Sequence, residues 1–203
     1  MARPRVYYVR PRDDSSSARQ GQAKGWSWVD KIGSFLGRID PILGICADRG
    51  YEVVKCEGCT HAQLNELLED PDTYGVILAG WHGASAGIQL DAPGAHGETH
   101  TLEYKTEAFN KQWRISDQPN PNLRFVVFHA CDVSAKTLSG YLDRLRPLAG
   151  DVEVLGWPEE SLLSIEGLPQ TIYSVCHELP NMTSPAASAT SFGLDPSLAS
   201  DDG

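Results

Sequence analysis

The sequence has no apolar run approaching the roughly 20 residues that cross a bilayer as a helix, so a membrane-spanning role is not expected. Basic charge is scarce as well. Seventeen Lys and Arg stand against 27 Asp and Glu, a formal net charge of −10. Proteins that hold phosphate backbones present a basic face, so a nucleic-acid partner is disfavoured. The first residues include Arg3 and Arg5 but no apolar stretch of the kind a secretory signal carries. The five cysteines are an odd number, which argues against a closed disulfide framework; the expectation is a reduced, cytoplasmic protein with free thiols. A second cysteine pair is missing too. Cys56-Glu-Gly-Cys59-Thr-His61 offers two thiols and one imidazole, whereas a closed zinc site takes four ligands. These residues read as a strand end and a helix start, and no metal or cofactor is expected. There are no internal repeats.

What is present is ordinary for one globular domain: 203 residues, 41% hydrophobic and 22% charged, long enough to bury a proper core. Arg5–Arg10 is rich in β-formers and predicts the first strand. Arg12–Gly25 is polar and reads as a loop. From Trp26 to Arg49 apolar residues recur at helical spacing, with Pro41 breaking or restarting the helix and Gly50 ending it. Tyr51–Cys56 is the second strand. Thr60, with Gln63 three residues on, is placed to cap a helix over His61–Glu69. An apolar run from Tyr74 then predicts a buried strand that ends at His82-Gly83. The β-α-β-α-β order with short connections predicts an α/β fold with a mostly parallel central sheet covered by helices.

After His82 the pattern changes. Gly87–Asp91 and His100–Tyr104 flank a turn rich in Pro, Gly and His, so a small β excursion is expected. Thr106–Trp113 suits a short helix and Ser116–Asn122 a loop. Leu123–Ala130 is a second apolar run, ending at Cys131. Ser134–Leu145 sets Leu138, Tyr141, Leu142 and Leu145 on one helical face. Val152–Gly156 is the fifth strand. Ser161–Leu179 reads as helical in part, interrupted at Pro169. From Pro180 the chain turns to Ser, Ala, Pro, Gly and Asp. Residues 1–179 are therefore expected to form the domain and 180–203 a loosely attached tail.

Two buried parallel strands would deliver His82 and Cys131 to the same carboxyl edge, where ligands and chemistry collect in open α/β sheets. The pairing has a chemical logic. A thiol attacks an amide as thiolate, and a nearby imidazole takes the proton and then protonates the leaving amine. The bland alternative is a buried structural cysteine and a hydrogen-bonded core histidine.

Four stretches together resemble the CHAT family of caspase-like cysteine peptidases. Gly75-Val-Ile-Leu-Ala-Gly-Trp-His-Gly83 resembles its strand followed by His-Gly. The stretch from Gly87–Asp91 to Thr101–Tyr104 is similar to the hairpin that follows. Phe125-Val-Val-Phe-His-Ala-Cys-Asp132 resembles its strand ending in Ala-Cys-acid, and Val154-Leu-Gly-Trp-Pro-Glu-Glu160 its later Trp-Pro-acidic loop. The His-to-Cys separation, 131 − 82 = 49 residues, is close to the roughly 50 of caspases. The resemblance implies a three-layer α/β/α sandwich, with His82 and Cys131 as catalytic residues and the backbone N–H groups of Gly83 and Cys131 as the oxyanion hole. It also implies limited proteolysis of a protein partner, with a role in bacterial defence by analogy. Asp132, Glu159 and Glu160 could line a pocket for a basic side chain; solvated loop carboxylates are the plain alternative. The sequence departs from the family at Trp81, where a small residue is usual, and at His129. Trp81 would narrow the substrate groove. These departures keep a second reading open, a catalytically inactive scaffold that binds a partner through the same groove. No helical-repeat region accompanies the domain, so any activator would be a separate protein.

Overall fold

The computed structural model describes residues 3–12, 41–81, 83–84, 87–92, 99–101, 119–130, 133, 135–156, 167–180 and 182. Five strands form one sheet: β1 (Arg5–Arg10), β2 (Glu52–Glu57), β3 (Thr73–Trp81), β7 (Phe125–Ala130) and β8 (Glu153–Gly156). Their order is β2-β1-β3-β7-β8, and every neighbouring pair is parallel. Between β3 and β7 the chain makes a separate three-stranded sheet from β4 (Gly83–Ala84), β5 (Gly87–Asp91) and β6 (Thr99–Thr101), with antiparallel pairing. This is the excursion expected from the turn residues; of its expected second strand, residues 102–104 lie outside the described residues.

Helices cover both faces. One face carries α2 (His61–Glu69) and α3 (Ala135–Ala149). Leu64, Leu68, Tyr141, Leu145 and Leu148 pack there with Val9, Val76, Leu78, Val126 and Phe128, all buried. The other carries α1 (residues 41–48) and α4 (Gly167–Glu178). There Leu43, Cys46 and Cys176 pack with Val6, Tyr8, Ile77 and Val127. A strand buried on both faces has no polar side to show, which is why β3 and β7 read as continuous apolar runs rather than alternating ones.

Local chemistry sets the helix ends. Thr60 accepts from the Gln63 N–H at 3.2 Å, and the Gln63 side chain accepts from the Thr60 N–H at 2.9 Å, the reciprocal box expected from the sequence. The helix after β7 extends past Leu145 through Pro147 and stops at Gly150, whose φ is +61°. The expected interruption at Pro169 is corrected: Pro169 sits in the first turn of α4, where a missing N–H breaks no helical bond. Two contacts lie just past the expected boundary at 179. The Met182 N–H donates to the Arg49 carbonyl at 2.8 Å and the Tyr51 hydroxyl to that of Pro180 at 3.0 Å, so the chain is fastened beyond Leu179. The expected loop at 13–25, the start of the first helix at 26–40, the short helix at 106–113 and the rest of the tail lie outside the described residues. Among the described residues, no helix is long and apolar enough to cross a membrane.

The amino edge of the sheet is held by polar anchors. Arg5 reaches Glu52 and Asp70, each at 3.1 Å, and the Tyr7 hydroxyl donates to the same Asp70 carboxylate at 3.2 Å. Asn120, fully buried, does more. Its amide donates to the carbonyls of Leu68 and Asp70 at 2.8 and 2.9 Å, its side-chain oxygen accepts from the Asn122 N–H, and its own N–H reaches the Leu148 carbonyl. One side chain thus locks the end of α2 to the loop before β7. Asn120→Ala strips a buried and a part-buried carbonyl of their donor, so we expect a loss of about 3 kcal/mol. Thermal unfolding checks this: a fall in Tm of roughly 10 °C is expected, and a loss too small to resolve would contradict it.

Candidate functional site

The site is built on the junction of β3 and β7. Their register runs Val76↔Val126, Ile77↔Val127, Leu78↔Phe128 and Ala79↔His129, then skips Gly80 to pair Trp81 with Ala130. Gly80 is the extra residue of a bulge and takes φ +76°, a backbone conformation that costs any other residue strain. The extra residue changes which face the next side chain meets. Strict alternation from Leu78, on the α2/α3 face, would send position 81 to the α1/α4 face. With the bulge, Trp81 joins the α2/α3 face. Its ring is 1% exposed, and its indole N–H donates to the Val9 carbonyl at 3.1 Å, joining the ends of β3 and β1.

The sequence reading put Trp81 in a substrate groove. The structure puts its ring in the core under the carboxyl edge, where it supports the strand end. Gly83 opens β4, is buried, and pairs with Ile88. His82, Cys131, Asp132, Glu159 and Glu160 lie outside the described residues, as does the side chain of His129. The described chain nevertheless brings their flanks together: β3 ends at Trp81 and β7 at Ala130, paired side by side, with β8 ending at Gly156 next to β7.

Two ties hold the excursion that follows β3 against the main domain. On α3, the Tyr141 hydroxyl accepts from the Ile88 N–H at 3.0 Å, and its ring lies 4.6 Å from that of Phe128. Burial pushes the Tyr141 phenol up, so it stays neutral. At the other end of β5, the Asp91 carboxylate accepts from the Cys59 N–H at 2.9 Å, and the Asp91 N–H donates to the Cys59 carbonyl at 2.8 Å. The segment after β3 is therefore bound to the helix after β7 and to the start of α2. Neither tie was visible in the sequence. The bulge was not read from the sequence either, although a glycine inside an apolar strand is a signal for one.

The Cys56–His61 stretch is a strand end and a helix cap, as its sequence suggested. Burial pushes the Cys59 thiol up to about 12, with the Asp91 charge adding to the effect, so it remains protonated. Burial also raises the Cys56 thiol. Among the described residues, no three His, Cys, Asp or Glu side chains gather as metal ligands.

No family model matches the chain, and no curated protein matches it in sequence.

Two substitutions test this construction. Tyr141→Phe leaves the buried Ile88 N–H without its acceptor and should cost about 1–3 kcal/mol. Hydrogen exchange should show faster exchange at Ile88 with little change at Leu78; equal protection at Ile88 would remove the tie from the account. Gly80→Ala forces a side chain into positive φ and should cost about 1–2 kcal/mol. Denaturant titration measures it, and a neutral result would mean the strand end relaxes without the bulge.

Proposed function

We propose that the chain is a caspase-like cysteine endopeptidase of the CHAT type, carrying out limited proteolysis with Cys131 as nucleophile and His82 as acid and base. The observation that carries the reading is the matched end of β3 and β7 at Trp81 and Ala130, each one residue short of the candidate dyad. Neighbouring parallel strands have carboxyl ends about 5 Å apart, so residues that follow them can share one reacting bond. The doubly covered parallel sheet and the antiparallel excursion directly after β3 are further support, since the resemblance implied both.

In this reading the Cys131 thiolate attacks the scissile carbonyl carbon and the N–H groups of Gly83 and Cys131 bind the oxyanion. His82 gives its proton to the leaving amine as the C–N bond breaks. A water, deprotonated by His82, then attacks the thioester and releases the new carboxyl end. Asp132, Glu159 and Glu160 would favour a Lys or Arg side chain before the cut. The substrate is a dedicated protein partner, in bacterial defence by analogy, and a separate protein could act as activator. Neither nucleic acid nor membrane takes part, and the compartment is cytoplasmic. The alternative remains the inactive scaffold. The buried indole of Trp81, committed to the Val9 carbonyl, weakens one of its two supports; His129 is the other.

The test is cleavage of a diverse peptide library by the wild type beside Cys131→Ala and His82→Ala. Cuts that disappear in both variants, by at least 100-fold, are expected from loss of nucleophile or general acid. Basic residues before the cuts would support the acidic pocket. No cuts, together with Cys131 no more reactive than a free thiol toward iodoacetamide, would decide for the scaffold.

A further inference from the structure

Two thiols take no part in the chemistry above, yet they meet in the core. Cys46 on α1 and Cys176 on α4 are both fully buried, and their sulfurs are 3.0 Å apart across 130 residues of sequence. A disulfide requires about 2.05 Å, so closing the bond moves one sulfur by about 1 Å. The backbone on either side is already pinned. The Arg49 guanidinium donates to the Leu179 carbonyl, the Tyr51 hydroxyl to that of Pro180, and the Met182 N–H to that of Arg49. These three bonds hold the end of α1 against the end of α4, so the two sulfurs face each other at high effective concentration.

We propose that Cys46 and Cys176 are a reversible redox-modification site, at which a small disulfide oxidant such as glutathione disulfide links α1 to α4 through an intramolecular bond. The steps balance. The Cys46 thiolate attacks one sulfur of the oxidant and expels a glutathione thiolate. Cys176, losing its proton to solvent, then attacks the Cys46 sulfur of the mixed disulfide and expels the second glutathione. Two protein thiols and one oxidant disulfide become one protein disulfide and two glutathione thiols. Cys46 is the attacking group because its contact with the Cys176 sulfur and the Arg49 charge nearby both draw its pKa below the ordinary thiol value. Cys176 is pushed up by the same contact and by burial. Both sulfurs are sealed in the native state, so exchange proceeds through local opening of α4. Cys59 is the internal contrast: it is buried, held protonated, and has the Thr60 carbonyl as its contact at 3.4 Å.

The experiment treats the full chain with glutathione disulfide, without denaturant and in a series of sub-denaturing urea concentrations that open α4. The protein is then unfolded, alkylated and mapped by mass spectrometry without reduction. The expected result is one linked peptide pair carrying Cys46 and Cys176, a mass 2 Da lower, and alkylation retained at Cys56 and Cys59, all reversed by dithiothreitol. The loop closed is long, so Tm should rise by roughly 10 °C on oxidation, and the rise should be absent in Cys46→Ser and Cys176→Ser. Cys46 and Cys176 still alkylated at every urea concentration would overturn the proposal. So would separate glutathione adducts on Cys46 and Cys176, or pairing of either with any other cysteine. The mapping uses the wild type alone, so it stands if either serine variant fails to fold, and it is independent of any peptidase activity.

Discussion

The pairing of β3 with β7 is the constraint from which the rest of the structure follows. Both strands are buried on both faces, so neither can slip by a residue without exchanging the residues that meet the two helical layers. The only latitude in the register toward the carboxyl edge is the bulge at Gly80. It is placed one residue before the end of β3, where it changes the direction of the chain without disturbing the strand. Trp81 then fixes the new direction, because its ring fills the core and its N–H is committed to Val9. A buried indole N–H without a partner is costly, so the bulge, the ring and the hydrogen bond are one unit.

The two faces of the sheet are secured by different means. On the α2/α3 face the ties are polar and connect distant segments: Tyr141 to Ile88, Asp91 to Cys59, Asn120 to the end of α2. The α1/α4 face is an apolar core around the Cys46–Cys176 contact, and near the end of α4 Arg49 and Tyr51 hold the carbonyls of Leu179 and Pro180. The first arrangement orders the segment that leaves β3. The second keeps the last described helix against the sheet and sets the two sulfurs facing each other.

Much of this could be read from the sequence, for physical reasons. Apolar and β-branched runs bounded by polar and glycine-rich segments gave the five strands to within about two residues; the signal is strongest in β3 and β7, whose burial on both faces leaves a continuous apolar run, and rests on β-formers in the half-exposed β2 and β8. The Thr60–Gln63 cap was legible because a capping box is local. Trp81 was not, because its face depends on a bulge that shifts the alternation, and a rule of strict alternation sends it the wrong way. Pro169 misled because a proline reads alike in the middle of a helix and in its first turn until the start of the helix is known. Asn120 stood inside a stretch that looked like plain loop. Its importance comes from carbonyls some 50 residues away, which no local pattern contains. Of the candidate site, the strand ends were legible and the ties behind them were not.

The distribution of these anchors bears on where function can sit. Asn120, the Arg5–Glu52–Asp70 cluster and Tyr7 all lie at the amino edge of the sheet, and they satisfy backbone and carboxylate groups with one another. Groups so engaged cannot serve a ligand without giving up bonds worth about 1 kcal/mol or more each. The carboxyl edge is organised differently. Its supports, Trp81 and Tyr141, act from beneath through buried rings, and they spend their polar atoms on backbone partners inside the protein. The ends of β3 and β7, at Trp81 and Ala130, are thus supported from within the core. A rigid base with its polar demands already met is what a preorganised site needs. The same base would serve a binding groove equally well, so under the proposed function the choice between peptidase and scaffold rests on the chemistry of His82 and Cys131 rather than on the fold that carries them.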